Sequence, residues 1–152
     1  MGIILQEDTR QKVSKHKTKH DSFDKAGDTV IRSKLLFGDY ALPPAIAVDT
    51  KENVLEIAYN MCGCVSEKKR FAAECYTARL CNSKLVYLIE DARYKEPSDL
   101  IGEQFELHNG VTIPGTQLYN AMVVTSGKYG VEFRFCKPEE SAEVIKEILL
   151  NG

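Results

Sequence analysis

The stretch that most constrains this chain is GDYALPPAIAVDTK, at positions 38–51. Pro43-Pro44 lies in its middle, and because proline cannot donate to a strand ladder, the pair marks a turn. An extended apolar segment lies on either side, so the stretch predicts a β-hairpin. Side chains alternate along a strand, which places Asp49 and Lys51 on one side and Thr50 on the other.

Three charged side chains lie at the ends of this predicted hairpin, namely Asp39, Asp49 and Lys51. Two acids and a lysine that converge at strand ends are costly to fold unless they bind something charged. A metal ion or a phosphodiester would satisfy them. Hard carboxylate oxygens suit magnesium or manganese rather than zinc.

The segment resembles the Gly-Asp … Glu-Arg-Lys signature of the XPF-type DNA-repair nuclease domain. That domain is a branch of the restriction-endonuclease-like, Asp/Glu-x-Lys superfamily. Gly38-Asp39 stands for Gly-Asp, and residues 49–51 stand for Glu-Arg-Lys. This chain departs from the signature at three positions. Asp49 replaces the Glu and has a shorter side chain, and Thr50 replaces the Arg, so a phosphate contact is lost. Leu55 stands where the family tends to have a further acid. The segment also resembles that of small single-domain relatives from bacteria and their phages, so we expect a bacterial or phage origin.

The resemblance implies both a fold and an activity. The fold is α/β, with a restriction-endonuclease-like core in which helices flank a central mixed β-sheet in αβββαβ order. The activity is metal-dependent hydrolysis of DNA by an endonuclease, selective for flap, fork or junction structures in repair or recombination. Asp39, Asp49 and the main-chain carbonyl of Thr50 would hold Mg²⁺ or Mn²⁺. Lys51 would orient the attacking water or stabilise developing negative charge.

Asp8 and Arg10 follow an apolar segment at residues 3–5, which predicts a first strand. They match the family's Asp-x-Arg at the end of that strand. The resemblance makes Asp8 a catalytic candidate, as an outer or second metal ligand, and makes Arg10 a contact to the DNA backbone. The residues alone support equally well a helix cap by Asp8 or Thr9.

Residues 11–26 predict a basic helix that is mostly solvated, because few of its residues are apolar. It is the only concentrated positive patch in the sequence, and it directly follows Asp8. His16 and His20 have helical spacing but lack a third ligand, which favours a solvated or phosphate-facing pair over a metal site. The alternative for the patch is a solvated face that serves solubility only. The lysines predicted to contact DNA phosphates are Lys12, Lys15, Lys17 and Lys19.

Residues 67–83 predict a helix. It matches the sequence pattern that the family often shows in this helix, at Arg70, Phe71, Glu74, Arg79 and Leu80. The resemblance implies that Glu74 faces the active site as an outer-sphere acid or second metal ligand. The residues alone favour an exposed acid, one turn away from Arg70. Glu90, which closes the apolar segment 84–91, either lies near the site or ends its strand.

The other elements follow from hydrophobic periodicity and turn residues. Strand 28–36 and the hairpin have short links, so consecutive strands are predicted to be antiparallel neighbours. Residues 84–91 predict a strand covered on both faces. The remaining predictions are a helix after Lys51, a small hairpin about Asn109-Gly110, a helix over 116–129, a strand over 131–136 and a last helix from 138.

Length and charge limit the classes of protein. A chain of 152 residues predicts one nuclease-like domain over 1–152, and a net charge of −2 requires a local patch for any DNA affinity. No apolar run has the length of a transmembrane helix, so we expect no membrane. Five cysteines without a secretory signal favour a reducing compartment and a cytoplasmic location. Cys62 and Cys64 have no second pair at zinc spacing and are interpreted as free thiols.

Two other functions remain open. One is a catalytically inactive DNA-binding module on the same fold. The other is a protein-interaction domain that dimerises through its last helices, as relatives often do, and a homodimer is among the expected assemblies. Neither role needs Asp39, Asp49 and Lys51 together at strand ends, so the residues favour the nuclease.

Overall fold

The structure, a computed structural model, describes residues 2–42 and 46–151; the predicted turn at Pro43-Pro44 lies outside these ranges. The strands are β1 (Ile4–Asp8), β2 (Thr29–Ser33), β3 (Tyr40–Leu42), β4 (Ile46–Lys51), β5 (Lys84–Glu90), β6 (Gln104–Glu106), β7 (Thr112–Pro114) and β8 (Glu132–Cys136). The α-helices are α1 (Lys17–Lys25), α2 (Val54–Cys62), α3 (Val65–Leu80), α4 (Gly115–Tyr129) and α5 (Ser141–Asn151). Short 3-10 helices span Val13–His16, Pro97–Leu100 and Pro138–Glu140.

The main sheet is mixed and six-stranded, in the order β2-β1-β3-β4-β5-β8. The predicted antiparallel pairing of β3 with β4 is confirmed. The predicted pairing of β2 with β3 is wrong: β2 lies parallel to β1, and β3 pairs with the other edge of β1. The reason is α1, which forms the crossover between β1 and β2 that parallel neighbours require.

The strand β5 separates two hydrophobic cores. Leu85, Tyr87 and Ile89 pack on one side with residues of α2, α3 and α4. Val86 and Leu88 pack on the other side with α1 and α5. These five side chains are at most 1% exposed, so the prediction of a strand covered on both faces is confirmed.

The later elements agree with the sequence pattern. β6 and β7 pair antiparallel on either side of the Asn109-Gly110 turn, as predicted. The helix predicted over 116–129 begins one residue earlier and ends before Gly130, which adopts the left-handed conformation that favours glycine after a helix. The thiols of Cys62 and Cys64 are both free. Of the helices that residues 2–42 and 46–151 form, none is both long and apolar enough to cross a membrane.

Candidate active site

The hairpin of β3 and β4 brings Asp39 and Asp49 to the same end of the sheet. The main-chain N–H of Asp39 donates to the carbonyl of Val48 at 2.7 Å, so Asp39 lies directly beside the residue before Asp49. Gly38 makes this approach feasible with φ +74°. A Cβ there would lie 3.0 Å from Ala47 Cβ and 3.3 Å from the Val48 carbonyl oxygen. The backbone therefore favours glycine at position 38, in addition to the chemical role expected of Asp39.

Thr50 fixes the carboxylate of Asp39. Its main-chain N–H and its hydroxyl each donate to Asp39 Oδ2 at 2.7 Å. The side-chain amide of Gln11 donates to the other oxygen, Oδ1. In the family pattern Thr50 stands where an arginine is expected, and the structure gives its hydroxyl a role in orienting Asp39. Gln11 was not predicted, and its only signal was its position beside the Asp-x-Arg segment.

Lys51 and Glu74 complete the group around Asp49. Lys51 Nζ lies 3.1 Å from Asp49 Oδ1, which confirms that these side chains share one side of β4. Glu74 reaches in from α3, where it accepts hydrogen bonds from Gly38 N–H at 3.0 Å and from Tyr87 Oη at 2.8 Å. The interpretation of Glu74 as an exposed acid next to Arg70 is wrong, because Arg70 pairs with Glu67 instead.

The surroundings of Asp39 and Asp49 disfavour the charged forms of both carboxyl groups. Burial raises the pKa of Asp39 to about 6, and the charge of Glu74 adds to this, whereas hydrogen bonds from Thr50 and the charge of Lys51 oppose it. Burial also raises the pKa of Asp49 well above its usual range, and the charge of Asp39 adds to that shift. Burial lowers the pKa of Lys51, but Asp49, Glu74 and Glu56 together outweigh burial, so the pKa is raised. A bound cation would relieve the repulsion between the acids.

This donor set fits a small divalent cation. Magnesium is commonly held by one or two carboxylates and keeps several waters. Among the described residues, no group of three or more His, Cys, Asp or Glu side chains is arranged to hold a metal, so an all-protein cage is not formed there. Two buried carboxylates whose pKa values are raised suit a partly hydrated ion. The assignment of Asp39, Asp49 and the Thr50 carbonyl as ligands stays a prediction.

Two cavities flank the group and share Asp49, Lys51 and Glu56. The first has a volume of about 620 Å³ and lies between α1 and the ends of β4 and β5. The second has a volume of about 500 Å³ and lies toward α2 and α3. Asp49 and Lys51 are therefore reached from both sides. The first is lined by Gln11, Lys15, His16, Thr18, Lys19, Asp39, Asp49, Thr50, Lys51, Glu52, Glu56, Glu90, Pro138 and Glu139.

No protein-family model and no curated protein matches this sequence. Among solved structures, XPF from Aeropyrum pernix is similar with a TM-score of 0.68 and 20% sequence identity, over 96% of this chain and 63% of that chain. The chain has the fold of the XPF nuclease domain. The same protein in complex with DNA gives a TM-score of 0.68 and 18% identity, over 97% of this chain and 63% of that one.

The likeness to XPF confirms the predicted fold class, a mixed sheet flanked by helices. At this sequence identity it shows the fold alone. The chain also spans less than two thirds of the XPF chains it resembles, 63% in each case.

Asp8 supports the candidate site without lining either cavity. Its carboxylate lies 2.6 Å from Arg10 Nε and accepts the main-chain N–H of Leu35 at 3.3 Å. Its own N–H donates to the Asp39 carbonyl at 2.7 Å. The helix-cap interpretation is wrong, because Lys12 occupies the cap position and no side chain caps it. Asp8 therefore fixes the backbone of Asp39, while Arg10, 58% exposed at its side chain, lines the second cavity.

The basic segment is less solvated than its composition predicts. Lys12, Lys15 and Lys17 are exposed, as expected, but Lys19 is 8% exposed and His16 is 4% exposed. Lys19 Nζ lies 2.8 Å from a Glu90 oxygen, which places Glu90 at the first cavity. The prediction of a solvated helix face is wrong for Lys19 and His16, because α1 packs against the sheet.

A buried polar cluster under α1 was not predicted. His20 Nε2 and Arg32 Nε lie 2.6 and 2.9 Å from the two oxygens of Glu7, which is fully buried. His16 Nδ1 lies 2.6 Å from the hydroxyl of Tyr40. The prediction of a solvated or phosphate-facing histidine pair is therefore wrong for His20, which is committed to Glu7.

His16 is expected to make stability depend on pH. Burial lowers its pKa to about 4, and the charge of Lys19 adds to the shift, while Glu7 opposes it. His20 and Lys15 also lower it. Burial raises the pKa of Tyr40, so its hydroxyl is uncharged near neutral pH. In the unfolded chain a histidine has a pKa of about 6.5, so the unfolded state takes up the proton first as the pH falls. The stability that neutral His16 contributes is present above pH 6.5 and is lost as the pH falls toward 4.

We therefore expect wild-type protein to lose about 2 kcal/mol more unfolding free energy than His16→Met between roughly pH 7 and 5. Urea unfolding of both metal-free proteins at the two pH values measures this difference. The other titrating groups are common to both proteins and cancel. Parallel pH profiles for the two proteins would contradict a buried neutral His16.

Proposed function

We propose that this protein is a metal-dependent DNA endonuclease that hydrolyses phosphodiester bonds, selective for flap, fork or junction DNA in repair or recombination. The observation that carries the proposal is the convergence of Asp39, Asp49 and Lys51 at the end of one hairpin, on the fold of the XPF nuclease domain. Two buried acids beside a largely buried lysine contribute little to a binding module but are typical of phosphoryl chemistry. That XPF has been solved with DNA supports DNA as the substrate.

The side chains divide the work of phosphodiester hydrolysis between them. Asp39 and Asp49 would hold Mg²⁺ or Mn²⁺, which when bound supplies Lewis-acid polarisation and charge neutralisation. Thr50 and Gln11 keep Asp39 oriented, so little reorganisation is needed when substrate arrives. The ammonium of Lys51 stabilises developing negative charge or orients the attacking water. Glu74 holds Gly38 and Tyr87 from the opposite side and is the candidate outer-sphere acid.

Cleavage of a panel of flap, fork, four-way junction and linear DNAs in magnesium tests this function. We expect branched substrates to be cut faster than the linear duplex of the same sequence. Asp49→Asn is the matched control, because it removes one charge and keeps the side-chain shape. DNA binding without cleavage of any substrate would instead indicate an inactive DNA-binding module on the same fold.

Phosphate contacts are proposed for Arg10 and for the exposed lysines Lys12, Lys15 and Lys17. Converting these three lysines to Gln should weaken DNA binding regardless of sequence. It should also flatten the dependence of log K on log salt by about 0.9 per lost contact. Fluorescence anisotropy over a salt series measures both effects. An unchanged slope would remove the helix from the binding surface and leave its charges with a solubility role.

Lys19→Gln is the matched control on the same helix. Because Lys19 is paired with Glu90 and both side chains are 10% exposed, its loss should lower stability by about 3 kcal/mol. The salt slope should hardly change. The four lysines, which look alike in sequence, should therefore separate into three that bind DNA and one that holds α1 on the sheet.

A further inference from the structure

Tyr87 lies in the middle of β5 and adjoins three residues of the candidate site. β4 and β5 run parallel, and Tyr87 is the register partner of Asp49. The ammonium of Lys51 lies 5.7 Å from the centroid of the Tyr87 ring, which is a cation–π distance. The Tyr87 hydroxyl donates to Glu74 Oε1 at 2.8 Å. One fully buried side chain therefore lies next to all three of these residues.

Glu74 is held by both of its carboxylate oxygens. The main-chain N–H of Gly38 donates to Oε2 at 3.0 Å, and the Tyr87 hydroxyl donates to Oε1. Gly38 immediately precedes Asp39 in the chain. Tyr87 neighbours Asp49 across the two strands, so Glu74 joins the segments that carry the two aspartates. Hydrogen bonds to a charged carboxylate are strong and directional, and two such donors fix its orientation.

The hydrophobic core fixes the position of the Tyr87 hydroxyl. The Tyr87 ring stacks with the rings of Phe71 and Phe133, at centroid distances of 4.8 and 5.4 Å. Phe71 lies on α3, the helix that carries Glu74, so the stack also holds that helix against β5. Because protein interiors are closely packed, the ring has little freedom to turn, and the hydroxyl stays beside Glu74. Tyr87→Phe would keep this packing and remove the hydroxyl alone.

We propose that Tyr87 is a positioning residue for DNA cleavage, because its hydroxyl orients the carboxylate of Glu74 beside Asp49. This inference rests on the proposed nuclease function and adds a residue to it. Glu74 and Lys51 line the same cavity, so a Glu74 carboxylate released from Tyr87 has the Lys51 ammonium as an alternative partner. That pairing would draw the ammonium away from Asp49 and from the reacting phosphate. Tyr87 itself lines neither cavity, so loss of its hydroxyl should slow the reaction without weakening substrate binding.

Tyr87→Phe is the first test. We expect it to lower kcat for the best branched DNA by roughly 10- to 100-fold at saturating magnesium, as for loss of a hydrogen bond to a charged group. KM should stay close to the wild-type value, because the contacts to substrate are unchanged. Tyr94→Phe is the matched control, since Tyr94 is a buried tyrosine of the same core and lines neither cavity. The control should leave kcat and KM unchanged.

A double-mutant cycle with Glu74→Ala separates positioning from packing. Once the carboxylate is absent, Tyr87→Phe should lower kcat no further, because the hydroxyl acts through Glu74. Urea unfolding of the four proteins without metal should also give non-additive free energies, which measures the contact independently of activity and shows that each protein is folded.

Four results would overturn the proposal: wild-type kcat in Tyr87→Phe, an equal fold-loss of kcat with and without Glu74, a change in KM alone, or additive unfolding free energies. Any of these results together with an active wild-type protein contradicts this inference alone. Wild-type protein that cuts no DNA contradicts the proposed function itself, and the inference falls with it.

Discussion

Asp49→Asn is expected to abolish magnesium-supported cleavage and at the same time to stabilise the metal-free protein. Removing one of the two predicted carboxylate ligands should lower the cleavage rate by about 10³-fold or more. The stability should rise at neutral pH because Asp49 is buried next to Asp39 and Glu74, which raises its pKa well above the usual range. A carboxylate with a raised folded pKa costs stability once the pH exceeds its unfolded value, and Asn does not carry that cost.

Two melting temperatures make this result specific. Wild-type protein should gain thermal stability when magnesium is added, whereas Asp49→Asn should start higher and gain little. Glu143→Gln is a matched control for charge, because Glu143 is exposed on α5, and it should change neither property. If Asp49→Asn is less stable than wild type without metal, the carboxylate contributes to the fold and the interpretation of a strained metal site is wrong.

Lys51→Met is expected to have the opposite effect on stability. Lys51 Nζ lies 3.1 Å from Asp49, and its side chain is 13% exposed, so its removal leaves the buried acids without their cation. Breaking a buried pair in this way costs about 3 kcal/mol, which unfolding in urea without metal would measure. Adding magnesium should recover much of the loss, because the acids then have another positive partner.

The rate should not recover with the stability. Without the ammonium, the developing negative charge loses a preorganised donor, and we expect cleavage to be about 10²- to 10³-fold slower at saturating magnesium. Calorimetric titration should show metal binding that is retained or tighter. Loss of metal binding together with rate would instead give Lys51 a structural role.

The candidate site could be predicted from the sequence because most of its residues lie in one contiguous segment. Gly38, Asp39, Asp49 and Lys51 belong to a hairpin whose turn residues and alternation are local signals, and local signals define which side chains share a side. The apolar stretch of β5 likewise predicted a strand covered on both faces, which the structure has. The fold class was implied by the family resemblance together with the order of these elements, and the likeness to XPF confirms it.

The errors concern partners that are distant in sequence. Nothing local shows that β1 would insert between β2 and β3, because that depends on how α1 crosses the sheet. The sequence around Lys19 predicts a solvated lysine, because its partner Glu90 lies 71 positions later in the chain. Glu7 on β1 and His20 on α1 likewise become partners only when the helix packs against the sheet. Burial of charged groups follows from tertiary pairing, which helical periodicity alone does not reveal.

The central claim is that Asp39 and Asp49 form the metal site of a DNA endonuclease, and the most direct test is the magnesium dependence of strand cleavage. A branched DNA labelled at one end is incubated with wild-type protein and with Asp49→Asn, over a magnesium series and in chelator. The account predicts cleavage by wild-type protein that saturates with magnesium, is absent in chelator and is lost in Asp49→Asn. Cleavage that persists in chelator or in Asp49→Asn, or wild-type protein that cuts no DNA in magnesium or manganese, would contradict it.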